Sequence, residues 1–541
     1  MTDRRTGAKA LVEGLVTQDV RHVFGIPGVH NLAIYDALLA QAAAHLPPAH
    51  VLVRHEQSAV YAADGYARAT GRPGIAVVTT GPGALNAMAA LNEAACSDVP
   101  VLLIASQIHS GLIGAGRQAL HEMKDQVGAF RAVVEHAESV SSVAEIPSRV
   151  QQAFSRMRAG PGRATYLEIP HDLLNTECRA ETLPPASVPP VHPSAETMRA
   201  AINAIRSSEY PALLVGSGVL QARAERTLLR VTEWLGAPVI TSSAAKGAIP
   251  GDHPLHVGVL AAGGSVDQIL GNADLVIAIG TRMAHRDLRR LKAPSPRALV
   301  HVDTNPAVFG RTWRPTLTVE ADAGAFLEDL FSELALAPAR DGQAAQQRIR
   351  ELNHLQRTRN REREPLAMDF LAAIAEGVGN EGILAVDQTV PGYWAELYYP
   401  CRMPRSFLYP SGSGVLGYAI PAALGARTAI PDAKVAVVIG DGGFHFTGAE
   451  FGTMVQHRLG IPVLVFNDNQ YGVIRTLQMR GFNQSGEVDL TNPDFPALAR
   501  SYGGEGLRIP NAASLPRAMQ KAFERDVPTL IEIPVSFYPP W

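Results

Sequence analysis

Two aspartates, Asp441 and Asp468, are the residues whose type and spacing speak most directly of chemistry. They lie in KVAVVIGDGGFHFTGAEFGTMVQHRLGIPVLVFNDNQYG, Lys434 to Gly472, where two apolar strand patterns flank an amphipathic helix pattern. A right-handed βαβ crossover sets the carboxyl ends of two such strands side by side. Each aspartate falls just past one of those ends, so the two are expected to be neighbours. Between them Gly440, Gly442 and Gly443 leave backbone amides accessible at the start of the connecting helix, a favourable place for phosphate. Two oxygen ligands beside a phosphate cradle suit Mg2+, which prefers octahedral oxygen coordination and binds through one or two carboxylates plus phosphates. The expected site is one for a metal and a diphosphate. Read alone, GDGG is also an ordinary strand-to-helix turn.

A second glycine-rich stretch, PSGSGVLGYAIPAALG from Pro410 to Gly425, holds the pattern GxGxxG at Gly412, Gly414 and Gly417, with Asp432 about 20 residues later. Taken alone it describes a dinucleotide turn. Asp432, however, precedes the next strand pattern, KVAVVIG, whereas a ribose-binding acid belongs at that strand's end. The context therefore argues against a dinucleotide here.

The elements that must position these groups follow from length and patterning. A chain of 541 residues exceeds one core, which stops growing near ~250–300 residues, and points to about three domains. Pro-rich LPPASVPPVHPSAE, Leu183 to Glu196, cannot continue a helix or a central strand and reads as a linker. The charged run DGQAAQQRIRELNHLQRTRNREREP, Asp341 to Pro365, reads as a surface helix bridging two cores. The expected domains are residues 1–182, 190–340 and 365–541. Each carries continuous apolar runs: GIAVVTT, VPVLLIAS and ATYLEIP, then ALLVGSG, APVITS and DLVIAIG, then ILAVD, KVAVVIG and IPVLVFN. Unbroken runs of this kind are strands buried on both faces of a parallel sheet, so all three domains are α/β. The first and third segments end alike, ATYLEIPHDL against PTLIEIPVSF, as two versions of one fold would.

Composition bounds the partners. With 46% apolar residues, 18% charged residues and a net charge of -3, the chain reads as a soluble globular protein without a dominant nucleic-acid surface. Runs such as Val101 to Ala105 and Pro462 to Phe466 are far shorter than the ~20 residues that span a bilayer. The start MTDRRTGAKA leads into an amphipathic helix pattern, so neither a signal peptide nor a membrane span is expected. Cys96, Cys178 and Cys401 have no paired spacing, which argues against a disulfide scaffold or zinc site and fits the reducing cytoplasm.

Gly440-Asp441-Gly442, followed after a spacer by Asn467-Asp468-Asn469, resembles the GDG…NN signature of thiamine-diphosphate-dependent enzymes. Across all three segments the chain is similar to the large subunit of acetolactate synthase. The resemblance implies pyrimidine-binding and pyrophosphate-binding domains around a Rossmann-like central one. It also implies Mg2+ held by Asp441, Asp468 and the carbonyl of Gln470, with Tyr471, Gly472 and Val473 along the cofactor. One departure is Asp468, where the family has a second Asn; it adds a negative charge facing a diphosphate.

Val51 to Leu91, VLVRHEQSAVYAADGYARATGRPGIAVVTTGPGALNAMAAL, resembles the family's cofactor-activating segment. Glu56 matches the glutamate that hydrogen-bonds the aminopyrimidine ring; a largely buried carboxyl has a raised pKa and can share a proton with ring nitrogen N1′. Outside this setting, an acid at a helix start is a capping or surface charge. By the same resemblance, Pro27, Gly83 and Asn86 contact the cofactor of a neighbouring subunit, which makes the protein at least a homodimer, or a homotetramer. The loop holding Gly414 and Leu416 resembles the one beneath the cofactor, where a bulky apolar residue enforces a bent shape. Gln388, Thr389 and Val390, just after ILAVD, complete the diphosphate loop.

Ala244 to Leu260 and the following ADLVIAIGTR resemble the central domain of acetolactate synthase, which binds FAD in biosynthetic enzymes and lacks it in some catabolic relatives. Two readings stand: FAD along Gly216, Ser217, Gly218 and Arg282, or a flavin-free spacer. Leu477 replaces the tryptophan that selects the second keto acid, and His121-Glu122 replaces a Gln-Glu pair. His121 resembles the proton-handling histidine of pyruvate decarboxylases, or is a helix-end residue without a catalytic role; His445 is a further catalytic candidate. The implied chemistry is loss of CO2 from a 2-keto acid such as pyruvate, after which the retained fragment meets a proton or a second carbonyl. Acetolactate-synthase-like carboligation ranks first, then simple decarboxylation, then a carboligase of specialised metabolism. A flavin or nicotinamide oxidoreductase and a non-catalytic paralogue are readings from other classes, and joint retention of Glu56, Asp441 and Asp468 speaks against the last.

Overall fold

The computed structural model describes residues 5–160, 163–179 and 181–541; the first four residues of the MTDRRTGAKA start lie outside them. The apolar runs form three six-stranded sheets, parallel throughout. Gly74–Val78, Val101–Gln107, Pro211–Val215, Leu275–Ile279, Val435–Gly440 and Pro462–Phe466 are buried along their whole length, which is why they read as unbroken apolar runs.

With strands numbered in chain order inside each sheet, the first and third sheets share the order 2-1-3-4-6-5. The look-alike strands Thr165–Pro170 and Thr529–Ile533 occupy the same place in it, so their likeness reflects one repeated topology. The middle sheet differs, with order 3-2-1-4-5-6 and a switch point between Pro211–Val215 and Leu275–Ile279. No helix or strand occurs from Glu181 to Ser194, where the prolines fall; the last two residues of the expected linker start the Ala195–Ser207 helix, capped by Ser194. The charged run forms the helix Gln343–Arg363, in which only Ile349, Leu352 and Asn360 are buried.

One expected element differs. The single helix anticipated after GDGG is two, Asp441–Thr447 and Glu450–Gln456. The break falls at Gly448, against which the Phe444 ring packs, while the Thr447 hydroxyl donates to Gly417 O (2.7 Å) in a neighbouring loop.

The first and third segments share one apolar core cluster, knit by the helices Glu56–Thr70 and Ala419–Ala429. Their backbones touch at glycines: a methyl on Gly65 would collide with the Ala422 backbone, and one on Gly425 with that of Ala62. Buried Asp64 completes the contact, bonded to Arg68 (2.6 Å) and to the Tyr418 hydroxyl (2.6 Å). Gly65→Val is therefore expected to cost at least ~1–3 kcal/mol of stability. Gly481→Ala, in open space on a helix, should be neutral or stabilising by up to ~1 kcal/mol. Denaturant melts of the two variants check this pair.

Candidate active site

Strands Val435–Gly440 and Pro462–Phe466 pair in parallel with Gly440 opposite Phe466, so the residues just past their ends emerge together. Asp441 and Asp468 accordingly face one cavity of about 320 Å3. Asp441 is 2% exposed, and burial raises its carboxyl pKa. The Asp468 carboxyl is pushed up to about 6, by burial first and then by the Asp441 charge. Two adjacent carboxylates in a partly dry site repel each other, and a divalent cation would relieve that repulsion. The lining of this cavity includes the carboxylates of Asp441 and Asp468 and neither histidine nor cysteine, so its side-chain donors are oxygens, which suit Mg2+ rather than zinc.

The rest of the cavity suits an anionic group. The helices Val390–Tyr398 and Gly472–Phe482 both begin on it without a side-chain cap, leaving first-turn amides available, although Pro391 in the first of them has no N–H to offer. Gln388 and Thr389 precede the first of these helices; Gln470, Tyr471, Gly472 and Val473 lead into the second, and all line the cavity. The 470–489 bridge is closed by Tyr471 N to Val488 O (2.8 Å) and Leu490 N to Asn469 O (2.8 Å), neither of which uses the Gln470 carbonyl. Gly440 and Gly442 leave no room for a methyl, against Thr389 and the Tyr471 ring respectively. Gly443, Gly414 and Leu416 complete the expected lining.

The GxGxxG loop is held by the protein itself. Glu93, fully buried, accepts Gly412 N (2.8 Å), Ser413 N (2.7 Å) and Gly414 N (3.1 Å). Amides spent on an internal carboxylate cannot cradle a pyrophosphate, which is the physical reason the dinucleotide reading fails here. From the other side Asp387 accepts Gln388 N (2.7 Å), Gly417 N (3.2 Å) and Ala419 N (3.3 Å), and burial pushes its carboxyl up to about 7. Glu93, Asp387 and Asn492 escaped the sequence reading. Asp387 had a signal, a charge ending the apolar run ILAVD, and Glu93 a weaker one, an acid inside an alanine-rich helix. Asn492 had none; its amide donates to Asp441 Oδ2 (2.7 Å) and Asn467 Oδ1 (2.9 Å).

The first-segment candidates form a separate group, and none lines the Asp441 cavity. Asn86 Nδ2 donates to Glu56 Oε2 (3.0 Å), and Gly83 lies against Glu56 and Thr79. Glu56 is half-buried rather than largely buried, and Pro27 is exposed. His121 sits in a turn, with φ +67°, and not at a helix end; its backbone packs against Gly81 and its ring lies 5.2 Å from that of His30. Glu122 ties that turn by accepting Gly116 N (3.0 Å) and Ala119 N (2.8 Å). His445 is exposed and bonds Asn492 Oδ1 (2.8 Å), one link from Asp441 but outside the cavity lining. Leu477 is half-exposed on the Gly472–Phe482 helix, none of whose residues is buried.

In the middle segment, Ser217, Gly218 and Arg282 line a crevice of about 140 Å3 beside the switch point, while Gly216 packs against Gly280 and Thr281. Arg282 is paired with Asp98 (3.2 Å) and bonded to the Cys96 carbonyl.

Three family models match the chain. A thiamine pyrophosphate enzyme N-terminal TPP-binding domain covers residues 5–129, the central domain 198–330, and the C-terminal TPP-binding domain 387–533. Curated relatives align over nearly the whole length. A probable 2-ketoarginine decarboxylase of Pseudomonas aeruginosa is 34% identical, over 98% of this chain and 94% of that protein. A probable acetolactate synthase large subunit of Methanocaldococcus jannaschii is 32% identical, over 98% and 92%. The acetolactate synthase isozyme 3 large subunit of Escherichia coli is 31% identical, over 96% and 92%.

Asn492→Ala would free Asp441 and Asn467 from their shared tether. Calorimetric titration with Mg2+ in the presence of thiamine diphosphate is expected to show affinity lowered about tenfold or more. Unchanged affinity would separate Asn492 from the site.

Proposed function

The chain belongs to the thiamine pyrophosphate enzyme family, and from that premise we propose that it decarboxylates a 2-keto acid, pyruvate first, and joins the retained fragment to a second carbonyl. The observation that carries the cofactor assignment is the Asp441 and Asp468 pair beside two uncapped helix starts. The acetolactate synthase large subunits that align over the whole chain carry the ligation. Thiamine diphosphate, when bound, supplies the carbon nucleophile and the electron sink for the leaving CO2.

Asp441, Asp468 and the Gln470 carbonyl would hold Mg2+, and the N–H groups opening the Val390–Tyr398 and Gly472–Phe482 helices would take the diphosphate. Leu416, in the same lining, would support the cofactor. Glu56, steadied by Asn86, would exchange a proton at ring nitrogen N1′. Because Glu56, Gly83 and Asn86 lie outside the Asp441 cavity, a second copy supplies them, so the working unit is a homodimer, alone or within a homotetramer. Exposed Val29 and Leu85 on one half and Phe446, Ile474 and Phe482 on the other give that interface its apolar surface. His121 handles the proton at the substrate, and His445 steadies Asn492.

A second reading, decarboxylation without ligation, is favoured by the relative named a probable 2-ketoarginine decarboxylase and by His121 and Leu477 at the departures from acetolactate synthase. For the middle domain we take the flavin-free reading: a crevice of about 140 Å3, spanned by the Arg282 and Asp98 pair, is small beside the ~300–1,000 Å3 of cofactor sites. We assign the domains as residues 1–182, 190–340 and 365–541. The three free cysteines support a place in the cytoplasm, and no helix among the described residues is long and apolar enough to cross a membrane.

The deciding experiment follows CO2 release from pyruvate by purified protein with thiamine diphosphate and Mg2+, and separates acetolactate from acetaldehyde. Acetolactate is expected; acetaldehyde alone would select the second reading, and neither product would point to another 2-keto acid. Glu56→Gln should lower turnover by about 10²–10⁴-fold while cofactor still binds. Asp441→Ala should abolish Mg2+-dependent cofactor binding. Full activity in the first variant or unchanged cofactor affinity in the second would overturn the assignment.

A further inference from the structure

A second cavity, of about 120 Å3, lies where the middle segment meets the Gln343–Arg363 helix and the last turn of Val390–Tyr398. It shares no lining residue with the Asp441 cavity, and no aspartate or glutamate lines it. Its polar side chains include several donors. Ser265, the first residue of the Ser265–Asn272 helix, is 6% exposed, and its hydroxyl has no partner. Asn360, also 6% exposed, gives its oxygen to Gln356 Nε2 (3.0 Å) and leaves its Nδ2 without a well-formed partner beside the Tyr398 phenol.

Two basic side chains stand beside these donors. Lys246, buried in the wall, where burial pushes its pKa down to about 7, donates to Ala395 O (2.7 Å) and Glu396 O (2.6 Å), and Arg357 stands exposed at the rim. Among the acids that flank lining residues in sequence, Asp267 is consumed by the amides of Gly264, Lys292 and Ala293, Asp252 pairs with Arg402 (2.9 Å) and Glu396 with Arg286 (2.5 Å). His256 turns Nδ1 toward the Gly251 carbonyl (3.4 Å), so that nitrogen carries the hydrogen. Nε2 is then a buried lone pair with no partner, and burial, the main cause, holds the ring neutral by pushing its pKa down to about 4.

Buried polar groups left unpaired each cost free energy, and so many around one cavity describe the outline of a polar ligand. The space equals the share of about four water molecules. We propose that this cavity binds a small oxyanion that also carries a hydroxyl, the shared chemistry of hydrogen phosphate and short 2-hydroxy acids. Ser265 and Asn360 donate to its charged oxygens, and His256 Nε2 accepts from its hydroxyl. The site does not depend on the catalytic reading. It stands at the far end of the helix whose first residue, Val390, lines the Asp441 cavity.

The test uses the full-length protein saturated with thiamine diphosphate and Mg2+, so that the diphosphate cavity is filled, and titrates it by calorimetry with inorganic phosphate, lactate and acetate. Saturable binding of phosphate or of lactate at one such site per chain is expected, and whichever binds names the source. Ser265→Ala and Asn360→Leu should each weaken it about tenfold while leaving cofactor affinity unchanged. Where Asn360→Leu does not fold, Ser265→Ala decides. Acetate binding as tightly as lactate would remove the hydroxyl from the proposal. No saturable binding, or affinity unchanged in the variants, would overturn the site and leave the cavity to water.

Discussion

The repulsion between Asp441 and Asp468 is the constraint around which the third segment is built. Two carboxylates separated by a strand crossing stay close only because the Val435–Gly440 and Pro462–Phe466 ladder fixes their origin and the core beneath does not yield. Asn492 spends its amide on Asp441 rather than on a strand or turn, and so removes part of the local cost. A pair held in this way is preorganised for a cation: the price of bringing the ligands together is met during folding.

The same economy governs the loop that faces the pair. Gly412 to Gly417 is gripped by Glu93 from the first segment and by Asp387 from its own sheet, so Gly414 and Leu416 are placed by two fully buried carboxylates on opposite sides. Glu93 lies on the Pro82–Cys96 helix, whose other end carries Gly83 and Asn86. One helix therefore braces the third-segment loop of its own chain and presents first-segment groups at its opposite end. The tight glycine contacts between Glu56–Thr70 and Ala419–Ala429 keep that arrangement rigid.

The fold was legible wherever burial on both faces of a sheet left an unmistakable run, and the linker wherever prolines forbade regular structure. That Asp441 and Asp468 share one cavity was legible because the crossover rule converts strand ends into neighbours. What the sequence did not disclose were long-range polar contacts. Glu93 reaches residues more than 300 positions away, and Asn492 acts on Asp441 from a loop without any pattern of its own. The GxGxxG glycines show the same limit from the other side: their spacing describes a ligand turn, and only the fold reveals that an internal carboxylate occupies it. Beside the local Phe444 contact, the helix break at Gly448 has the Thr447 bond to Gly417, 30 positions away, which no short window of sequence contains.

The shared strand order of the first and third segments bears on the proposed dimer. Both sheets have strand ends able to present groups in the same direction relative to the fold, the first with the Gly81 to Gly83 turn after Gly74–Val78, the third with Asp441 after Val435–Gly440. Within one chain the two segments meet at the helix contact of Asp64, Arg68 and Tyr418, at the loop that Glu93 holds and at Arg54 N, which donates to Glu450 Oε1 (2.9 Å), and none of Glu56, Gly83 and Asn86 lines the Asp441 cavity. In the proposed dimer, a twofold axis would bring the first-segment ends of each chain to the third-segment ends of the other, and would do so twice. Two equivalent sites would then form from a single self-complementary interface, the simplest symmetry under which Glu56 and the Asp441 pair could serve one cofactor.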